Sequence, residues 1–320
     1  MPATSPAKIT PLDRAITDFL EYLEVERGLS KLTLRNYGFF LKRFAIFARE
    51  RGVSRPEAIS KLIVHQFRLH INRLPDRSGQ GELKKNTQNY HLIALRTFLK
   101  YLVKNDVKTL EPEKIELTKQ APRQVEFLEG KDLERILDAP FQAKGEGDLS
   151  AVRDKALLET LFSTGLRVSE LSNLKVDDIN LAKPEFTVRG KGSKLRLVFL
   201  SDNARYWLKK YLEQRSDPNP YIFANVSRAG ASADKPLTPR SIERLVAFYA
   251  RQAGIMKKVT PHTLRHSYAT DLLINGADIR SVQAMLGHAS ITTTQVYTHI
   301  TDNQLRDVYQ AFHGRRRTKK

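Results

Sequence analysis

The sequence predicts a two-domain protein, an all-α N-terminal domain joined to a larger mixed α/β domain that is mostly helical. Residues 12–105 carry apolar side chains at helical spacing throughout. Residues 106–124 turn polar, contain two prolines and lose that spacing. Residues 186–200, FTVRGKGSKLRLVFL, alternate around a Gly-Lys-Gly-Ser turn, as a β-hairpin does. With 320 residues the chain can build two cores.

Residues 1–11 lack the apolar run of a signal peptide and are expected to be a flexible lead-in. LDRAITDFLEYLEVERG then places apolar residues at 12, 16, 19, 20 and 23, one helical face. A second helix is expected over about 33–51, with Leu34, Tyr37, Phe40, Leu41, Phe44 and Phe47 on one side. Gly28 and Ser30 punctuate the join, and Gly52 closes the helix. ISKLIVHQFRLHINRL makes a third helix, PDRSGQGELKK a polar turn, and NTQNYHLIALRTFLKYLV a fourth. The stretch 106–124 reads as an extended linker that reaches roughly 60 Å at most.

Beyond it, over 125–301, helices are expected at 130–138, 151–164, 202–215, 238–253, 261–275 and 278–286. In the hairpin, the alternating apolar set is read as Phe186 and Val188, then Leu195, Leu197 and Phe199. FQAKGEGDLSAV and SRAGASADKPL read as polar solvent loops, and Asp177 and Asp178 as the start of a turn and not a metal site. Leu305, Val308, Tyr309 and Phe312 form an apolar stripe on a short helix over 302–313, too short to be stable without a partner surface. The last residues, 314–320 (GRRRTKK), are a basic tail.

Composition removes whole classes of function. With no Cys there are no disulfides, no thiolate catalysis and no Cys-based zinc site. No apolar run approaches the roughly 20 residues of a membrane span. A cytoplasmic chain is expected, one in which the sequon Asn225-Val-Ser227 would never meet a glycosylation apparatus. Lys and Arg number 54 against 35 acidic residues, a net charge of +19. Residues 1–125 hold 23 basic and 13 acidic side chains and the rest hold 31 and 22, so both halves are cationic. A long polyanion held between two basic bodies fits that distribution, because each neutralised phosphate releases counterions.

Six polar residues in the second half stand out by local context. STGLRVSEL puts Arg167 at the start of a new helical turn, and GKGSK puts Lys191 at the hairpin tip. VTPHTLRH starts a helix with Thr260 as N-cap and Pro261 in the first turn, and His262 and Arg265 share a face there. LGH supplies His288, and Tyr297 follows nine positions later on another short helix. Singly, each also reads as a surface charge, a structural histidine or a core tyrosine. Together they are a cationic set around one phenol. A phosphodiester gains charge on its equatorial oxygens in the transition state, and guanidinium forks meet that charge without a metal. Unperturbed, Tyr has a pKa of about 10 and Lys of about 10.4, suited to a nucleophile aided by cations and to a donor for an alkoxide leaving group. Exchanging one phosphodiester for another needs no nucleotide, and no Walker A loop is present.

The segments TGLRVSEL, GKGSK, PHTLRHSYATDLL, ADIRSVQAMLGH and ITTTQVYTHI resemble the catalytic domain of the tyrosine recombinase (phage integrase) family, above all its Xer-type branch. FLEYLEVERGLSKLTLRNY resembles the family's SAM-like core-binding domain, and the resemblance runs from about residue 12 to 310. It implies a C-shaped clamp on duplex DNA, with the linker passing around the duplex. It implies Tyr297 as the nucleophile that forms a 3′-phosphotyrosyl bond, Arg167 and Arg265 as the phosphate clamp, and Lys191 as the general acid. His262 would assist proton transfer at the tyrosine, and His288 would donate to the phosphate. No cofactor or metal is expected. Expected partners are a double-stranded recombination site and further copies of the chain, joined into a synaptic tetramer by exchange of the 302–313 helix. A partner recombinase or a DNA translocase is also compatible, and no membrane is involved. Resolution of chromosome or plasmid dimers is the first expectation and integration or excision of a mobile element the second. A type IB topoisomerase or a non-catalytic DNA-binding protein would share parts of the pattern.

Overall fold

The computed structural model describes residues 9–76, 79, 81–118, 126–128, 130–145, 147–190, 195–224 and 235–287. The chain divides into two units, residues 1–122 and 123–320.

The first unit is built from α1 (Pro11–Val25), α2 (Lys31–Arg49), α3 (Lys61–Asn72) and α4 (Lys85–Lys104). The helices start where side chains can satisfy orphan N–H groups. At α1, Thr10 accepts from the Asp13 N–H while the Asp13 carboxylate accepts from the Thr10 N–H, with Pro11 in the first turn. Ser30 and Ser60 cap α2 and α3. Phe19, Leu41, Phe44, Phe67, Leu95 and Phe98 are fully buried in one core. Phe44 meets Phe67 edge to face, centroids 5.1 Å apart.

The stretch expected to be an extended linker is largely part of this unit. Ile115 is buried in the core, with Val107, Leu110 and Leu117 packed around it. The Asn89 side chain donates to the Thr118 carbonyl at 2.9 Å and accepts from the Thr118 N–H at 3.1 Å. An aliphatic residue every few positions was enough to fasten residues 107–118, although no helical period announced it.

The second unit runs α5 (Gly130–Lys144), α6 (Leu149–Thr164), α7 (Val168–Ser172), a hairpin of β1 (Glu185–Arg189) and β2 (Leu195–Phe199), then α8 (Asp202–Gln214), α9 (Pro239–Gln252), α10 (Pro261–Ile274) and α11 (Ile279–Leu286). α5 continues past the expected stop at 138 and takes in Pro140. Proline removes one helical hydrogen bond, but Ile136, Ala139 and Pro140 are buried in the core and hold the extra turn in place. The polar loop expected over 141–152 is therefore only Gly145–Asp148, whose last residue caps α6. α6 is buried on every side, and its charges are paired inside: Arg153 with Asp154 at 2.7 Å and Lys155 with Glu159 at 2.9 Å. Asp177 and Asp178 lie in a 3-10 turn, where the Asp178 carboxylate accepts from the Lys175 N–H.

In the hairpin the expected face of β2 is inverted. Phe186 pairs with Val198 and Val188 with Arg196, and directly opposed residues share a face. The inner face is thus Phe186, Val188, Arg196 and Val198, while Leu195, Leu197 and Phe199 point outward at 67%, 45% and 41% exposure. Both phases of β2 are apolar apart from one arginine, so alternation alone selected the wrong one. Among the described residues no helix is long and apolar enough to cross a membrane. The hairpin tip (191–194), residues 225–234 and everything from 288 onward lie outside the described residues. That takes in the Asn225 sequon, most of the SRAGASADKPL stretch, the helix expected over 302–313 and the basic tail. Residues 1–8 of the expected lead-in lie outside as well.

Candidate active site

The second unit brings four segments to the C-terminal end of α11. α6 ends at Gly165, which takes the left-handed conformation (φ 57°) that reverses the chain. A Cβ there would collide with Tyr268 Cδ1, so both the backbone and the packing require glycine. Two residues later Arg167 stands at the start of α7. Its N–H donates to Glu170 Oε2 at 2.8 Å, and its Nη1 donates to Glu170 Oε1 at 2.9 Å. Thr260 and Pro261 open α10 as expected, and this places His262 in the first turn and Arg265 one turn on.

Three arginines then satisfy the final carbonyls of α11 in register. Arg196 Nε donates to Met285 O at 3.1 Å, Arg265 Nη2 donates to Leu286 O, and Arg167 Nη2 donates to Gly287 O at 3.1 Å. Those carbonyls have no helical partner and form the negative end of the helix dipole, which suits cations. Arg265 also donates to Gly165 O, so it closes the end of α6 onto the end of α11. Gly287 is left-handed (φ 62°), and a Cβ on it would lie 2.9 Å from Arg196 Cδ.

The charge balance is cationic. Burial alone would raise the Glu170 carboxyl, but hydrogen bonds from Arg196 and the Arg167 backbone outweigh it and hold the group down at about 2. Burial pushes His262 below its usual value, with Arg265 and Arg167 adding to the effect. His266, on the next turn, is pushed down to about 4 by burial and by His262 and Arg265. Beside His262 opens a groove of about 580 Å³, to which Arg240, Arg244, Arg251, Lys257 and Lys258 contribute cations. An anion with several oxygens is the ligand such a surface takes.

Of the six residues singled out from sequence, the structure gathers Arg167, His262 and Arg265. Lys191, His288 and Tyr297 lie outside the described residues. Two members were missed. Glu170 follows Arg167 by three positions at a helix start, the spacing at which a carboxylate reaches back. Arg196 is the one charge within the strand LRLVF.

The N-terminal SAM-like domain of phage integrases matches residues 16–106, and the phage integrase family matches residues 126–304. The chain is 37% identical over 310 residues to the tyrosine recombinase XerD of Oceanobacillus iheyensis, covering 95% of this chain and 99% of that one. It is also 37% identical to the XerD of Listeria monocytogenes serotype 4b, with 94% and 98% covered. Its fold is like that of the XerH site-specific recombinase in a post-cleavage complex with palindromic difH substrate, at 21% identity and a TM-score of 0.72, with 95% and 98% covered.

Proposed function

This chain belongs to the phage integrase family, the tyrosine recombinases, and we propose that it cuts and rejoins duplex DNA through Tyr297, its first task being the resolution of chromosome or plasmid dimers at a specific site. In the reaction the Tyr297 oxygen bonds to the scissile phosphorus, and the bond from phosphorus to the 5′ oxygen breaks. The phenol gives up its proton, and Lys191 supplies one to the departing 5′ oxygen. Arg167 and Arg265 hold the non-bridging oxygens, and His288 donates to them. His262, kept neutral near pH 7 by burial and its arginine neighbours, takes the phenolic proton. Attack by the 5′ hydroxyl of a second strand on the phosphotyrosine reverses each transfer and releases the enzyme. No step draws on a nucleotide, because the bond energy stays in a phosphodiester.

One observation carries the reading: Arg167 and Arg265, far apart in sequence, are anchored on adjacent carbonyls of one helix turn. The near end-to-end kinship with XerD recombinases supports the dimer-resolving role. We place the DNA-binding helical domain at 12–105 together with residues 107–118 that pack on its core, the catalytic domain at 125–301 and a segment exchanged between protomers at 302–313. It would act on duplex DNA in the cytoplasm, four copies to a synapse. A nicked suicide duplex tests the chemistry. The wild type is expected to leave a covalent protein–DNA adduct on a denaturing gel, and Tyr297→Phe to bind equally and leave none. A wild type without adduct overturns the proposal.

A further inference from the structure

Arg196 lies on the inner face of the hairpin, opposite Val188 and beside Val198, where an aliphatic residue would pack. Its side chain is only 7% exposed. A buried guanidinium is rarely the most stabilising choice at such a place, so its presence there asks for a reason other than stability. All three of its nitrogens donate. Nη1 and Nη2 bind Glu170 Oε1 and Oε2 at 2.8 and 2.7 Å, and Nε binds Met285 O at 3.1 Å. The side chain is committed to the protein, so it is not itself a phosphate ligand.

Its partners are those of Arg167. The Arg167 side chain is held by two acceptors, Glu170 Oε1 and Gly287 O. Arg196 grips the first through the bidentate pair, and it holds the helix end that carries the second, through Met285 O two residues earlier and through the close approach of its Cδ to Gly287, where an added Cβ would come within 2.9 Å of it. Arg167 is the more open of the two, at 27% exposure. From this we infer that Arg196 is a positioning residue for strand transfer: it fixes both anchors of Arg167, so that the Arg167 guanidinium meets the phosphate preorganised. The inference rests on the proposed chemistry above and adds to it a residue that never touches DNA. Lysine could not replace it, because one ammonium cannot span both carboxylate oxygens and reach Met285 O as a planar fork does.

The cleavage site is first mapped from the DNA that the wild-type protein carries covalently, and a nicked duplex of that site serves as probe for the full-length chain. Arg196→Lys is expected to bind the duplex within about threefold of wild type and to form adduct at least tenfold more slowly. Arg167→Lys combined with Arg196→Lys is expected to be no more than about threefold slower than the slower single variant, since both disturb one guanidinium. Gly287→Ala, which presses on Arg196 without removing a charge, is expected to show the same loss and the same non-additivity. Three results overturn the inference alone while wild type forms adduct: an Arg196→Lys rate within threefold of wild type, losses that multiply in the double variant, or an Arg196→Lys chain that does not fold beside a folded Gly287→Ala chain as fast as wild type. A wild type that forms no adduct overturns the recombinase reading and this inference with it.

Discussion

Arg167 and Glu170 are joined twice, once through the Arg167 backbone N–H and once through its guanidinium. The first bond closes the opening turn of α7 and the second aims the side chain, so one carboxylate serves both the helix and the site. Replacing Glu170 with Ala leaves the buried Arg196 without its counter-ion. A loss of about 3–5 kcal/mol is expected, because removing one partner of a buried pair strands the other charge. Urea unfolding of Glu170→Ala measures it, and a loss under about 1 kcal/mol would mean that water reaches Arg196.

Gly165 is expected to tolerate no side chain. Alanine would hold a left-handed backbone angle and intrude on the Tyr268 ring; the two effects together are expected to cost roughly 2–4 kcal/mol. Thermal unfolding of Gly165→Ala reads this directly. Adduct formation should fall as well, since the Gly165 carbonyl is an anchor of Arg265.

Stability should depend on pH through His266. Its value in the folded chain, about 4, lies below the ordinary 6.5, so the unfolded chain binds the proton first as pH falls. The stabilisation is complete above about 6.5, declines as pH drops toward 4 and is gone below that; His262 acts in the same direction. Unfolding midpoints from pH 7.5 to 4.5 are expected to fall, with a shallower slope for His266→Asn. An identical slope in that variant would place the titration elsewhere.

Truncation at Asp302 removes the apolar stripe of Leu305, Val308, Tyr309 and Phe312. Binding to one duplex should survive, and assembly of two duplexes into a synaptic complex should be lost. Native gels with the mapped site decide it, and unchanged synaptic complexes would mean that the segment packs on its own domain.

What could be read from sequence was what local chemistry decides. Ser30, Thr260 and Pro261 mark helix starts because a cap and its N–H lie within one turn. The end of α5 escaped because burial of Ile136 and Ala139 overrides the proline rule. The phase of β2 escaped because Leu195, Leu197 and Phe199 alternate as well as the buried set does. Residues 107–118 looked like spacer because their anchors, Asn89 and the core around Ile115, are distant in sequence. Within the site, Arg167, His262 and Arg265 were visible by motif. The Glu170–Arg196 pair was not, because it joins a helix to a strand that only the folded chain brings together.

The oxygens that receive Arg196, Arg265 and Arg167 at the end of α11 belong to peptide groups. Swapping the side chains of Met285 or Leu286 leaves those oxygens in place, so an alanine scan can interrogate only the givers of these bonds. The receivers answer to backbone chemistry alone: an ester link installed by semisynthesis would weaken one of these carbonyls, give up the next residue's N–H with it, and leave every side chain untouched.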